Sequence, residues 1–136
     1  MPAPPAALTV GMTDIRIPGL HHPIDIEPTD GQVRIRLGGR VVAESSAALT
    51  LREASYPAVR YIPLADVDPS VLEPSSHTSY CPFKGRATYY SLRVGDRVVP
   101  DSVWTYVDPH DAVAPIKDHV AFHVDSMDSV EVHRVG

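Results

Sequence analysis

The sequence predicts a mainly β fold in one domain, and three observations predict it. Fourteen prolines and eight glycines interrupt the 136 residues, so that no helical-period segment longer than about ten residues survives between them. Short runs of β-branched and aromatic residues alternate with polar ones at period two, the pattern of strands with one buried face. Glycine-centred turns join neighbouring runs into hairpins.

The elements follow in order. Residues 1–17 form a Pro/Ala-rich amino-terminal segment without the basic start and continuous apolar stretch of a signal peptide, and residues 18–136 form the domain. Val33, Ile35 and Leu37 alternate with Gln32, Arg34 and Arg36. Gly38-Gly39 then supplies a positive-φ turn, and Val41-Val42-Ala43 returns as the second strand. Further strands are expected at Ala48 to Glu53, Val59 to Ile62, Ala87 to Val94, Val98 to Val107, Val120 to Val124 and Ser129 to Val135, with Gly95-Asp96 turning a second hairpin. The total is about eight, mostly antiparallel. One short helix is expected at Asp68 to Glu73, where Asp68 can cap and Pro69 occupies the first helical position. A turn near His110 to Lys117 is interrupted by Pro115.

Composition narrows the function classes. A chain of 14.8 kDa suits one domain with its own core. The formal charge of −5 and the lack of any basic run argue against nucleic acid as a partner. No segment approaches the roughly 20 apolar residues of a membrane span. The single Cys81 cannot form an internal disulfide, and a free thiol suits a reducing compartment, so a cytoplasmic address is expected.

Several residues point to chemistry. Cys81, Lys84 and Gly85 place a thiol, an ammonium and a permissive backbone in one short segment. A nearby cation raises the thiolate fraction, so Cys81 is a candidate nucleophile, against the alternative of a small buried apolar side chain before Pro82. Lys84 can hold an anion that Gly85 lets approach, or it is a surface lysine in a turn. Glu53 follows Leu49 and Leu51 on one strand face and is expected inside. A carboxylate there is either an acid–base group or the partner of a buried cation such as Lys84 or Arg60. Tyr56, Tyr61, Tyr89, Trp104 and Tyr106, with Arg60, His77 and Gly85, are candidates for lining a small-molecule pocket; the aromatics serve equally as plain core.

The seven histidines do not read as a metal site. His119 and His123 stand four apart on one expected strand, about 13 Å at roughly 3.3 Å per residue, too far to share an ion, and His21-His22 needs distant partners. His77, four residues before Cys81, is the histidine placed to act as a base to the thiol, or else it is a surface loop residue. Asp66 and Asp68 resemble a spaced acidic pair for magnesium, but Asp68 before Pro69 reads more simply as a helix cap. No cofactor is named by any motif.

The segments His22-Pro23-Ile24, Ile26-Glu27-Pro28, Gly39 to Ala43, Glu53, Tyr56-Pro57, Tyr61, Pro63, Asp66-Val67 and Cys81-Pro82-Phe83-Lys84-Gly85 with Ala87, Tyr89, Trp104 and Tyr106 carry a resemblance. In order and spacing they resemble the domain of unknown function 427 family from about Pro18 to Val132. The resemblance implies a compact antiparallel, tent-like β fold and includes the Lys84-Gly85 pair in the family's most specific motif. The family carries a nucleotidyltransferase-like label, yet the Gly-Ser turn and separated acidic metal ligands of such enzymes are not recognisable here. Leu64 stands after Pro63 where many relatives are expected to carry a basic residue.

The leading expectation is a small cytoplasmic enzyme acting on a small organic metabolite in an aromatic-lined pocket, with Glu53, Lys84 and Cys81 as its catalytic group. A non-catalytic small-molecule binding module is the alternative. A third reading is an interaction protein that assembles through exposed strand edges, for example as a homodimer.

Overall fold

The computed structural model describes residues 15–134. Among these residues ten strands, all paired antiparallel, form two sheets. In chain order they are β1 (Ile24–Pro28), β2 (Gln32–Leu37), β3 (Arg40–Ser45), β4 (Leu49–Glu53), β5 (Val59–Pro63), β6 (Leu72–Cys81), β7 (Gly85–Val94), β8 (Arg97–Tyr106), β9 (His119–Phe122) and β10 (Ser129–His133). The larger sheet runs β1-β4-β5-β9-β8-β7-β6, and the smaller runs β10-β2-β3. The mainly β, single-domain expectation holds. Both hairpins form where expected, turning through Gly38-Gly39 and Gly95-Asp96.

Ten strands replace the expected eight because β1 and β6 carried no recognised signal. Both are outer strands of the larger sheet. An edge strand needs only one hydrogen-bonding neighbour and tolerates proline and polar residues. Pro28 therefore sits in β1, and β6 accommodates Pro74, Ser75, Ser76 and Ser79, with an irregularity in its pairing to β7 between Pro74 and Thr78. The helix expected at Asp68 to Glu73 shrinks to one 3-10 turn, Pro69–Val71, and Leu72-Glu73 already belong to β6. Asp68 does cap that turn, accepting from the Ser70 amide at 3.0 Å and pairing with Arg40. Its hydrogen bonds from Ser70 and the nearby guanidinium hold the Asp68 carboxyl below the ordinary aspartate value. Near His110 two short 3-10 turns merge over Asp111–Ile116 with a kink at Val113. Val135, expected to end the last strand, lies outside the described residues.

Cross-strand pairing sorts the larger sheet into two faces, since directly opposed residues share a face. Leu49 opposes Tyr61, Leu51 opposes Val59, Tyr89 opposes Trp104, and Ala87 opposes Tyr106; all but the partly buried Leu49, which packs against the rest, form one buried cluster with Val113 and Ile116. On the other face Ile62, Val120, Val103, Phe122 and Leu92 pack against Val33, Ile35, Leu37, Val42 and Ala43 of the smaller sheet. The domain thus has two apolar layers separated by one sheet.

Leu92 is fully buried in the layer between the sheets. A Leu92→Ala chain is expected to lose about 2–5 kcal/mol, the range for deleting a buried leucine, read as a lower urea midpoint with an unchanged slope; a midpoint equal to the parent's contradicts this packing.

Candidate functional site

The terminal residue of β4, Glu53, points into the aromatic layer, 5% exposed. Its register explains why: Glu53 opposes Ile24 on β1 and shares its face with Leu51 and Leu49. A buried carboxylate needs compensation, and two side chains supply it. Lys84, 2% exposed, forms an ion pair through Nζ with Glu53 Oε1. His22 Nε2 donates to Glu53 Oε2 at 2.7 Å. Each partner is 31 residues away in the chain, one on each side.

Both partners are held by tight local structure. Lys84 closes the turn between β6 and β7, where its amide donates to the Cys81 carbonyl at 3.2 Å and its own carbonyl accepts from the His110 amide at 3.0 Å. Gly85 has φ +113, and a Cβ there would stand 3.3 Å from the Asp108 carbonyl oxygen. The close approach that Gly85 permits is that of the chain's own 108–110 segment. Phe83, from the same turn, stacks on the His22 ring with centroids 3.9 Å apart and planes 4° from parallel. His22 is tied to Gly19 by two backbone hydrogen bonds, and its side chain remains 26% exposed. Tyr56, 48% exposed, meets the His22 ring edge-on, with ring centroids 6.4 Å apart.

Other candidates fall into place differently. Tyr61, Trp104, Tyr106 and Tyr89 are buried and fill the layer rather than line an opening. Trp104 Nε1 donates to Tyr61 Oη at 3.3 Å, and the Tyr89 hydroxyl bonds the Ser79 hydroxyl at 2.9 Å. Burial pushes the phenols of Tyr61, Tyr106 and Tyr89 above the ordinary tyrosine value. Lys84 Nζ lies 6.0 Å from the Tyr106 ring centre. The Tyr106 hydroxyl is buried with no hydrogen-bond partner among the described residues. Cys81 is buried with these aromatics.

Arg60 does not meet Glu53. It opposes Thr50, one step out of phase with the Leu49, Leu51 and Glu53 face, so the sheet stands between them. His77 lies on exposed β6 against the Tyr89 ring at 4.5 Å, and four strand residues, about 13 Å, separate it from Cys81. His119 Nδ1 bonds the Lys117 carbonyl and His123 Nδ1 the Ser126 hydroxyl.

The sequence reading paired Glu53 with Lys84 as one of its alternatives and missed His22 and Phe83. The missed signal was a histidine beside a rigid proline in the same motif set as Glu53, with an aromatic preceding Lys84. An open depression of about 470 Å³ lined by Pro18, Gly19, Leu20, Pro23 and Ile24 adjoins His22 in the chain. A second, of about 560 Å³, is lined by residues that include Tyr80, Arg86, Asp108 and His110, and the Tyr80 hydroxyl and His110 Nε2 lie 3.2 Å apart.

A family model described as domain of unknown function (DUF427) matches residues 25–133. The chain belongs to this family. The match spans β1 through β10 and includes Glu53, Cys81 and Lys84; His22 lies just before it. A search of curated proteins returns no match.

Two outcomes test the site's energetics. Lys84→Met strands a buried carboxylate and is expected to cost about 3–5 kcal/mol, whereas Glu53→Gln with Lys84→Met recovers most of that loss; a double variant as unstable as the sum of the singles contradicts the pair. Because Tyr61 and Tyr106 ionise less readily folded than unfolded, their contribution is intact below about pH 10 and is lost as pH rises beyond it, by about 1.4 kcal/mol per pH unit for each. Tyr106→Phe is expected to remove one group's share of that alkaline slope without loss of stability at pH 7, since the hydroxyl it deletes is buried and unpartnered. Equilibrium unfolding between pH 7 and 11 reads both.

Proposed function

We propose that this protein is a small cytoplasmic enzyme that acts on a small organic metabolite by acid–base chemistry, with His22 as the proton carrier. The observation that carries the reading is the Glu53 carboxylate held between a buried ammonium and an imidazole that reaches solvent. A carboxylate only accepts hydrogen bonds, so its bond fixes the neutral ring with the proton on Nε2 and leaves Nδ1 as the basic nitrogen. A substrate proton taken at Nδ1 makes an imidazolium, and Glu53 stabilises that charge as the orienting carboxylate does in His-based catalysis. Lys84 supplies the counter-charge of Glu53 inside the layer. In this reading Glu53 and Lys84 are positioning residues, because neither reaches the surface.

Substrate is placed against the solvent-reaching part of the His22 ring, beside the exposed Tyr56 ring. Cys81, buried behind this group, shapes the layer and takes no nucleophilic part. The cytoplasmic address rests on the lone thiol. The aromatic pocket of the original expectation becomes a surface site with aromatic walls.

The purified protein, incubated with a fractionated metabolite extract and followed by mass spectrometry, is expected to deplete one metabolite class. His22→Gln is expected to slow that depletion about 10²–10⁴-fold, the range for losing a general acid–base group, while retaining the parent's unfolding free energy within about 1 kcal/mol. Depletion by the variant at the parent rate sinks the proposal. Saturable retention of a metabolite without turnover, lost in the variant, assigns the same site to a binding module instead.

A further inference from the structure

Where β5 and β9 part in the larger sheet, we propose a separate binding site for a small monocarboxylate whose body is one ring or a short branched chain, with Arg60 as its anion partner. The site arises from a split in the sheet. β9 pairs with β5 only at Ile62–Val120 and Pro63–His119, and beyond that it follows β8, where Phe122 opposes Val103 and the His123 amide donates to the Ser102 carbonyl at 2.7 Å. The first half of β5 is therefore left without a neighbour on that side. Ile35 and Val130, cross-strand partners in the smaller sheet, roof the gap.

The result is a cavity of about 200 Å³, with walls from Ala58, Val59 and Phe122 as well as the roof residues, and Val124 and Val132 partly exposed on its lining. A dry apolar cavity of about 150 Å³ accommodates benzene, so this volume takes one ring or a branched chain with a small head group. Among the described residues the one charged side chain on its wall is Arg60. Arg60 Nε is buried with no hydrogen-bond partner among the described residues, and its guanidinium makes no ion pair with them; Arg16 and Arg86 also lack a carboxylate partner there, but of the three Arg60 alone lines this cavity with a buried, unsatisfied nitrogen. A permanently charged guanidinium on the lining of an apolar cavity, with a buried N–H still to be satisfied, matches a carboxylate at one end of an apolar body. The apolar walls disfavour inorganic phosphate or a sugar, which need polar partners on every side.

This site is independent of His22. Benzoate and isovalerate are the probes, with benzyl alcohol as the uncharged counterpart and inorganic phosphate as the anion without a body. Titration of the full chain by NMR is expected to give saturable shifts at Ile35, Val59, Phe122 and Val130 with either carboxylate. Benzyl alcohol is expected to bind at least tenfold more weakly, and phosphate to leave these residues unmoved. Arg60→Met, which keeps the apolar stem, should weaken benzoate at least tenfold, and Arg60→Lys, which keeps charge without the fork, by less. Should Arg60→Met not fold, the benzyl alcohol comparison and Arg60→Lys decide. The inference is overturned if neither carboxylate shifts these residues, if benzyl alcohol binds as well as benzoate, or if the Arg60 variants bind as the parent does.

Discussion

A carboxylate placed where the fold demands an apolar side chain is the constraint on which the rest of this structure turns. Glu53 occupies a core register position because β4 alternates strictly through Leu49 and Leu51, and an unpaired charge there would cost several kcal/mol. Compensation comes from two distant segments, and each must be rigid enough to hold its group in place. The turn from Cys81 to Gly85 therefore brings the Lys84 ammonium inward while tying its backbone to the 108–110 segment. The Gly19–His22 segment is locked by paired backbone hydrogen bonds and by stacking of His22 on Phe83. One turn thus supplies both the counter-charge of the carboxylate and the platform of the imidazole.

The larger sheet acts as a partition. Its aromatic face holds the Glu53 group and a layer filled with large rings, among which the buried Tyr106 hydroxyl has no partner among the described residues. Its aliphatic face packs on the smaller sheet, and the cavity beside Arg60 opens where β5 and β9 part company. Period-two alternation decides which residues can cooperate. Thr50 and Arg60 face one way while Leu49, Leu51 and Glu53 face the other, so no loop movement brings Arg60 to Glu53.

What was legible in the sequence follows the same physics. The two glycine hairpins, the inward Glu53 and the Asp68 cap are local consequences of turn chemistry, alternation and capping, and each is visible within a few residues. β1 and β6 were not read because edge strands are free of the demands that give central strands their signature; β6 carries Pro74 and three serines without harm. His22 appeared in the family motif set and was weighed for a metal site it had no partners for, but its partner Glu53 lies 31 residues on and nothing in periodicity links them. Tyr61, Tyr89, Trp104 and Tyr106 share one buried layer while Tyr56 lies outside it, and composition alone could not distinguish residues that line an opening from residues that fill a layer.

The central claim is that Glu53 holds the His22 imidazole by Nε2. Nitrogen-detected NMR of the histidine side chains, at a pH where the His22 ring is neutral, reports which ring nitrogen carries the proton. The account predicts the Nε2–H tautomer for His22, and averaging between tautomers in Glu53→Gln. An Nδ1–H tautomer, or averaging already present in the parent protein, contradicts it.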